Sequence, residues 1–166
     1  MANTDLTAEL LRALLHYEPE TGIFTWLLPK SSKIKPGDRA GGKDIQSGYR
    51  SIWVAGKGRA EHRLAWLYVY GEWPKGDIDH INGISDDNRI ANLRDASTSQ
   101  NCQNQRKARI SNSSGLLGVK KFRPGQWQSS IGVNGKYIHL GTFNSPESAH
   151  LAYIEAKRKY HSFGTL

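Results

Sequence analysis

The sequence predicts an α+β protein built from two small units. Three observations carry that prediction. Apolar spacing switches along the chain between a helical stripe and two-residue alternation. Glycine, 17 of 166 residues, punctuates the alternating stretches. Charge is divided unevenly: +3 over residues 1–60, −3 over 61–105 and +8 over 106–166, for a total of +8. A basic balance favours a polyanionic partner and says nothing about fold. The one cysteine, Cys102, excludes an intramolecular disulfide framework and any zinc site built from paired cysteines, so no structural zinc is expected. No apolar run approaches the roughly 18 residues of a membrane span. Asp5 and Glu9 stand where a signal peptide would be basic and then apolar. A soluble, cytoplasmic protein without a membrane partner is therefore expected.

Residues 5–17 place Leu6, Leu10, Leu14 and Tyr17 on one stripe and predict a helix, capped by Asp5 or Thr7. Glycines break up residues 22–57, leaving 23–27 and 49–54 as short antiparallel strands. Residues 62–70, closed by Gly71, predict a buried helix with a glycine stop. A short strand over 77–81 ends at Asn82-Gly83, and a polar loop of Ser85, Asp86, Asp87 and Asn88 follows. Residues 90–96 alternate weakly. Ser97 or Thr98 then caps a polar helix running to about Ala108, and 109–114 read as a linker. Residues 117–122, 127–133 and 136–143 are strands, the last two joined by Asn134-Gly135, a strong hairpin signal. Ser145-Pro146-Glu147 opens a final helix with a cap, a proline at its first position and an acid near the positive end of the dipole. Its stripe is Ala149, Ala152, Tyr153, Ala156 and Tyr160.

The middle segment carries the chemistry. Asp79 and His80 are neighbours in a strand and face opposite sides, unless the strand ends there, as Asn82-Gly83 suggests. Downstream, Asn92, Asn101 and Asn104 supply amide oxygens, the last two one helical turn apart. Carboxylate and amide oxygens are hard ligands suited to Mg²⁺ or a similar cation. A neutral histidine takes a proton from water near neutral pH. Carboxylates inside a polyanion-binding chain make sense around a cation, which reverses the local sign. Together these point to metal-assisted attack on a phosphodiester. From spacing alone, the same residues serve equally as turn caps and a packed histidine.

The run HRLAWLYVYGEWPKGDIDHINGISDDNRIANLRDASTSQNCQNQ, residues 62–105, resembles the HNH homing-endonuclease family in its phage-type His-Asn-Asn variant. The resemblance implies a ββα-metal (His-Me finger) core with 5′-phosphate and 3′-hydroxyl products. It makes Asp79 a metal ligand, His80 the general base, Asn92 the residue that orients the histidine, and Asn101 the second metal ligand. It implies one divalent cation, magnesium or manganese. Asn104 would assist with metal or phosphate. His62 and Arg63, the family's "HR", would be structural or contact phosphate. Asp86 and Asp87 are expected to fix their loop through side-chain to backbone bonds, and Cys102 to pack on its helix. Residues 1–60 look like the β-rich scaffold that precedes such cores in phage proteins.

Residues 114–164 resemble the APETALA2/ERF DNA-binding domain, on Gly118-Val119-Lys120, Trp127, Ile131, Leu140-Gly141-Thr142-Phe143 and the helix over 147–153. That family implies a three-stranded antiparallel sheet backed by one helix and laid in the major groove of double-stranded DNA. Alternation assigns the faces independently: Val119, Trp127, Ser129, Ile131, Val133, Ile138 and Leu140 inward, Lys120, Phe122, Gln128, Ser130, Gly132, Tyr137 and His139 outward. The candidate DNA contacts are Lys120, Lys121, Phe122, Arg123, Ser130, Lys136, Tyr137 and His139. The family's reading face is arginine-rich. Phe122, Gly132, Tyr137 and His139 at matching positions imply weaker or more tolerant recognition.

The expectation is a nuclease domain over 1–108, with scaffold 1–60 and core 61–108, then a linker over 109–114 and an APETALA2/ERF-like domain over 115–166. The function expected is metal-dependent, site-directed cleavage of DNA by a monomer or weak dimer, in a host cytoplasm if phage-encoded. The rival is a non-catalytic DNA-binding regulator that keeps the same scaffold, against which the intact Asp79, His80, Asn92 and Asn101 set argues. RNA binding is weaker, because beyond Phe122 and Tyr137 no exposed aromatic pair stands out for base stacking.

Overall fold

The computed structural model describes residues 6–109 and 111–164, so Asp5 and Ile110 of the expected linker lie outside the described residues. The chain divides into two compact units, Met1–Ala96 and Ser97–Leu166.

In the first unit, α1 (Ala8–Leu14) starts at Thr7, whose hydroxyl accepts from the Leu10 N–H. It stops short of the expected length. Leu15–Glu18 form β1, paired antiparallel with β2 (Ile23–Trp26). The reason is burial: Leu15 and Tyr17 go inward while His16 and Glu18 face out, which is a strand's period and not a helix's. A three-stranded sheet follows, from β3 (Gly42–Lys43), β4 (Arg50–Val54) and β5 (Lys57–Ala60) in that order. Helix α2 (Glu61–Tyr70) ends at Gly71, whose φ of 80° closes it in the left-handed region. Strands β6 (Asp77–His80) and β7 (Leu93–Ala96) pair antiparallel. The segment between them ends in a 3₁₀ turn, Ile90–Asn92, so the second strand starts three residues later than its alternation suggested. Leu11, Leu15, Tyr17, Phe24, Ile52, Leu64 and Leu67 make the core. Each contributes roughly 1.5–3 kcal/mol by burial, enough to carry the buried polar groups at its margin.

The second unit opens with α3 (Thr98–Gln103), held by a reciprocal capping box between Ser97 and Gln100. It ends well before Ala108, because no residue in it is buried and tertiary packing does not extend it. Cys102 is exposed on it rather than packed. Residues 112–116 are knit to the start of a sheet: Asn112 Nδ2 and Ser114 Oγ donate to the Val119 carbonyl at 3.2 and 2.9 Å. The sheet has the order β10-β9-β8, from β8 (Val119–Arg123), β9 (Gln126–Val133) and β10 (Lys136–Phe143). Asn134 and Gly135 turn the β9–β10 hairpin with φ of 50° and 75°. Helix α4 (Pro146–Tyr160) is capped by Ser145, whose hydroxyl accepts from the Ser148 N–H. Ile131, Tyr153 and Ala156 form the core, with Leu117, Val133, Ile138 and Leu140 around them. The expected helix stripe is corrected at its C-terminal end. Tyr160 is exposed, and Lys157 is buried instead, its ammonium donating to the Gln105 carbonyl at 2.6 Å. Among the described residues no helix is long and apolar enough to cross a membrane.

Candidate functional site

The β6–β7 hairpin positions two buried ionisable side chains, each 5% exposed. Register places Asp79 directly opposite Arg94, so their side chains share a face. The guanidinium grips one carboxylate oxygen, with Nε at 2.8 Å and Nη2 at 2.7 Å from Oδ2. His80, the last residue of β6, turns to other partners. Its Nε2 lies 3.1 Å from Asn88 Oδ1. The His62 ring meets it edge-on at 5.2 Å between centroids, and Tyr49 lies 5.8 Å from it and 5.4 Å from His62. Burial disfavours the imidazolium and lowers the His80 pKa. The Asn88 contact and the charges of Asp79, Asp87 and Asp86 oppose that shift without reversing it. The His62 pKa falls to about 4 through burial, with the His80 and Arg63 charges adding to it. Both histidines are therefore neutral at neutral pH, the state a general base needs.

The loop between the strands is held by its own side chains. Asn92 accepts from the Asn82 N–H at 3.0 Å, and its amide donates to Asn82 Oδ1 at 3.0 Å and the Asp87 carbonyl at 2.8 Å. Asp87 takes a two-pronged contact from Arg89 and a bond from Asn82, and the Arg89 bonds chiefly hold its pKa down to about 2. Asp86 pairs with Lys43 at 2.7 Å. Loop fixation by Asp86 and Asp87 thus works mainly through other side chains. Asn92 belongs to the same lacing, and the amide against His80 is Asn88. Asn88 is 1% exposed, and its Nδ2 has no hydrogen-bond partner among the described residues. An orphaned buried donor costs about 1–3 kcal/mol.

Arg63 donates to the Gly76 carbonyl at 3.0 Å, just before β6. Glu61, wholly buried, pairs with Arg50 at 2.8 Å, and burial raises its pKa against that pairing. Most of the acidic residues in the middle segment are thus engaged by cationic or amide groups. Asn101 is half-buried on α3, and the N–H of Asn104, the helix C-cap, donates to its carbonyl at 3.1 Å. Both belong to the second unit.

Among the described residues no group of three or more His, Cys, Asp or Glu side chains is placed to hold a metal. The expected donor set is one carboxylate, Asp79, with one amide oxygen, Asn101. Such hard, sparse donors fit a cation that keeps several waters, as Mg²⁺ does. Arg94 already neutralises Asp79 at Oδ2, so a cation on this carboxylate shares it with a guanidinium.

On the second unit's sheet, Lys120 pairs with Gln128, His139 with Ser130, and Tyr137 with Gly132. Lys120, Lys121, Phe122, Arg123, Lys136, Tyr137 and His139 are exposed, Tyr137 at 86%, while Ser130 is half-buried beneath His139. Lys121 pairs with Trp127 and so stands on the opposite face from Lys120. A bulge at Phe122 returns Arg123 to the Lys120 side. Ser129, Ile131 and Val119 are buried on the other face, as alternation implied.

Asn88, Arg94 and Tyr49 are the site residues that sequence reasoning missed. Arg94 had a signal, its place opposite Asp79 once the hairpin register is drawn; Asn88 and Tyr49 had none.

Residues 59–103 match the model of a family described as HNH endonuclease. No curated protein and no solved structure matches the chain. The matched stretch runs from β5 through α3 and contains Asp79, His80, Asn88, Asn92, Arg94 and Asn101, and its similarity to HNH endonucleases supports nuclease activity on nucleic acid.

Proposed function

We propose that this chain is a metal-dependent, site-directed endonuclease of the homing type that cuts or nicks double-stranded DNA, with a core of the ββα-metal type. The observation that carries the reading is His80: buried, neutral and held at Nε2, inside the stretch similar to HNH endonucleases. His80 takes the proton of the attacking water as the oxygen bonds to phosphorus, and the 3′-oxygen leaves. The products carry 5′-phosphate and 3′-hydroxyl ends. Asp79 and Asn101 would hold one magnesium or manganese ion. When bound, that cation supplies electrostatic stabilisation of the charge building on the phosphate and the leaving oxygen. Asn92 keeps the loop over the histidine in shape through its bonds to Asn82 and Asp87.

The second unit is the addressing module. Its sheet presents Lys120, Arg123, Lys136, Tyr137 and His139 in water, and residues 106–166 carry a net +8. Phosphate contact by such a surface is salt-dependent and tolerant of sequence.

The deciding experiment incubates supercoiled DNA with Mg²⁺ and either wild type or His80→Ala. Nicking by wild type alone supports the assignment. No nicking by wild type, or equal nicking by both, rejects it and favours a DNA-binding regulator.

A further inference from the structure

The N-terminal β1–β2 hairpin has no catalytic side chain, yet it reaches the residue that holds His80. Tyr17 on β1 is 1% exposed, and its hydroxyl donates to the Asn88 carbonyl at 2.7 Å. Gly22, at the end of the hairpin turn with φ of +72°, lies against the Asn88–Arg89 peptide so closely that a β-carbon would overlap its atoms. The Asn88 peptide is thus bonded from one side and blocked from another by the same hairpin. From that fixed peptide the side chain extends to His80 Nε2. Asn88 makes this contact while its Nδ2 has no hydrogen-bond partner among the described residues. An amide placed by its own preference would turn to satisfy both ends. The hairpin's contacts to Asn88 fall on its backbone.

We infer that the N-terminal hairpin is a positioning device for the candidate base: Tyr17 and Gly22 fix Asn88, and Asn88 fixes the ring orientation and tautomer of His80. As an acceptor facing Nε2, Asn88 Oδ1 selects the Nε2–H form, which puts the basic lone pair on Nδ1. The inference deepens the nuclease reading and rests on it for its catalytic meaning. Tyr17, Gly22 and Asn88 are positioning residues. They act through His80.

The test uses the full chain and two readouts. The first is nitrogen NMR of labelled histidine, without DNA, at pH 7.5. Wild type is expected to show His80 in a single Nε2–H form, Asn88→Ala a mixture of both tautomers, and Tyr17→Phe a smaller shift the same way. Tyr17→Phe keeps the ring contacts with Phe24 at 4.7 Å and Tyr68 at 5.6 Å, so it removes the hydroxyl and spares the core. The second readout is Mg²⁺-dependent nicking. Asn88→Ala should lower kcat about tenfold or more with KM for DNA nearly unchanged, in the range of losses seen when a residue supporting a functional side chain is removed. Tyr17→Phe should lower kcat by less in the wild-type background and not at all in the Asn88→Ala background, since residues acting along one line of contact are not additive. An unchanged His80 tautomer in Asn88→Ala overturns the inference, as do additive effects of the two substitutions. Absence of nicking in wild type rejects the nuclease reading alone, and the tautomer measurement still decides the role of the hairpin.

Discussion

The two units place their candidate functional side chains differently. The first draws Asp79, His80, Asn88, Asn92 and Glu61 inside and gives each a side-chain partner of fixed geometry. The second buries Val119, Ile131, Tyr153 and Ala156 and leaves Lys120, Phe122, Arg123, Lys136, Tyr137 and His139 of its sheet in water. The difference follows from what each is proposed to do. Proton transfer needs atoms held to a fraction of an ångström, which calls for burial and hydrogen bonds. Attraction to a phosphate backbone needs only a field, which a mobile exposed lysine provides.

The sharpest way to break this contrast is in the first unit. His80→Ala should lower nicking by roughly 10²–10⁴-fold, the range attributed to one general base, and leave DNA binding by gel shift unchanged. Loss of binding in that variant would merge the two roles. Arg94→Met comes next. It removes the guanidinium beside a buried carboxylate and should lower unfolding stability by about 3 kcal/mol in a chelator. Added Mg²⁺ should restore part of that loss, as read by denaturant titration. No restoration would separate Asp79 from the metal.

Acid acts on the same unit, more weakly. The pKa of His62 is about 4 in the fold and about 6.5 unfolded, so below pH 6.5 the unfolded chain binds more protons. Stability should therefore be flat above that pH and fall as pH drops from about 6.5 to about 4, by on the order of 2 kcal/mol after allowing for partial exposure. His80 is shifted in the same direction and adds to it. His62→Phe should flatten the curve measured by urea unfolding. The smallest effect belongs to the second unit. Lys120→Ala should weaken DNA binding a few-fold and reduce the salt slope by about 1, with nicking at saturating DNA unaltered. A drop in kcat would show that the sheet does more than bind.

What the sequence made legible was local. The Thr7 and Ser145 caps, the Gly71 stop and the Asn134-Gly135 turn all depend on neighbours within a few residues. Residues 15–17 read as helix because Tyr17 continues the stripe of Leu6, Leu10 and Leu14 as well as it fits a strand's alternation, and only the core it meets decides. The burial of Lys157 has no local signal, because its ammonium donates to the Gln105 carbonyl, 52 residues away. In the site, Asp79 and His80 were recognisable from type and order. Asn88 was not: its meaning depends on a loop folding back over His80 and on a tyrosine 71 residues earlier. Asn92 and Asn88 are the same residue type four positions apart, and only the fold tells which one faces the imidazole.

Two-residue alternation in the β8–β10 sheet has a consequence for how this protein can change. Because buried and outward positions interleave, substitutions at Lys120, Gln128, Ser130, Tyr137 and His139 fall on the outward face, exposed or half-buried, and leave Val119, Ile131 and Tyr153 in place. On the proposed DNA-binding role of this sheet, target preference can be re-selected from a randomised library at those five codons with little cost to the core. The proposed line of contact from the N-terminal hairpin through Asn88 to His80 allows no such freedom, so chains of this architecture should tolerate change on the sheet long before they tolerate it around the imidazole.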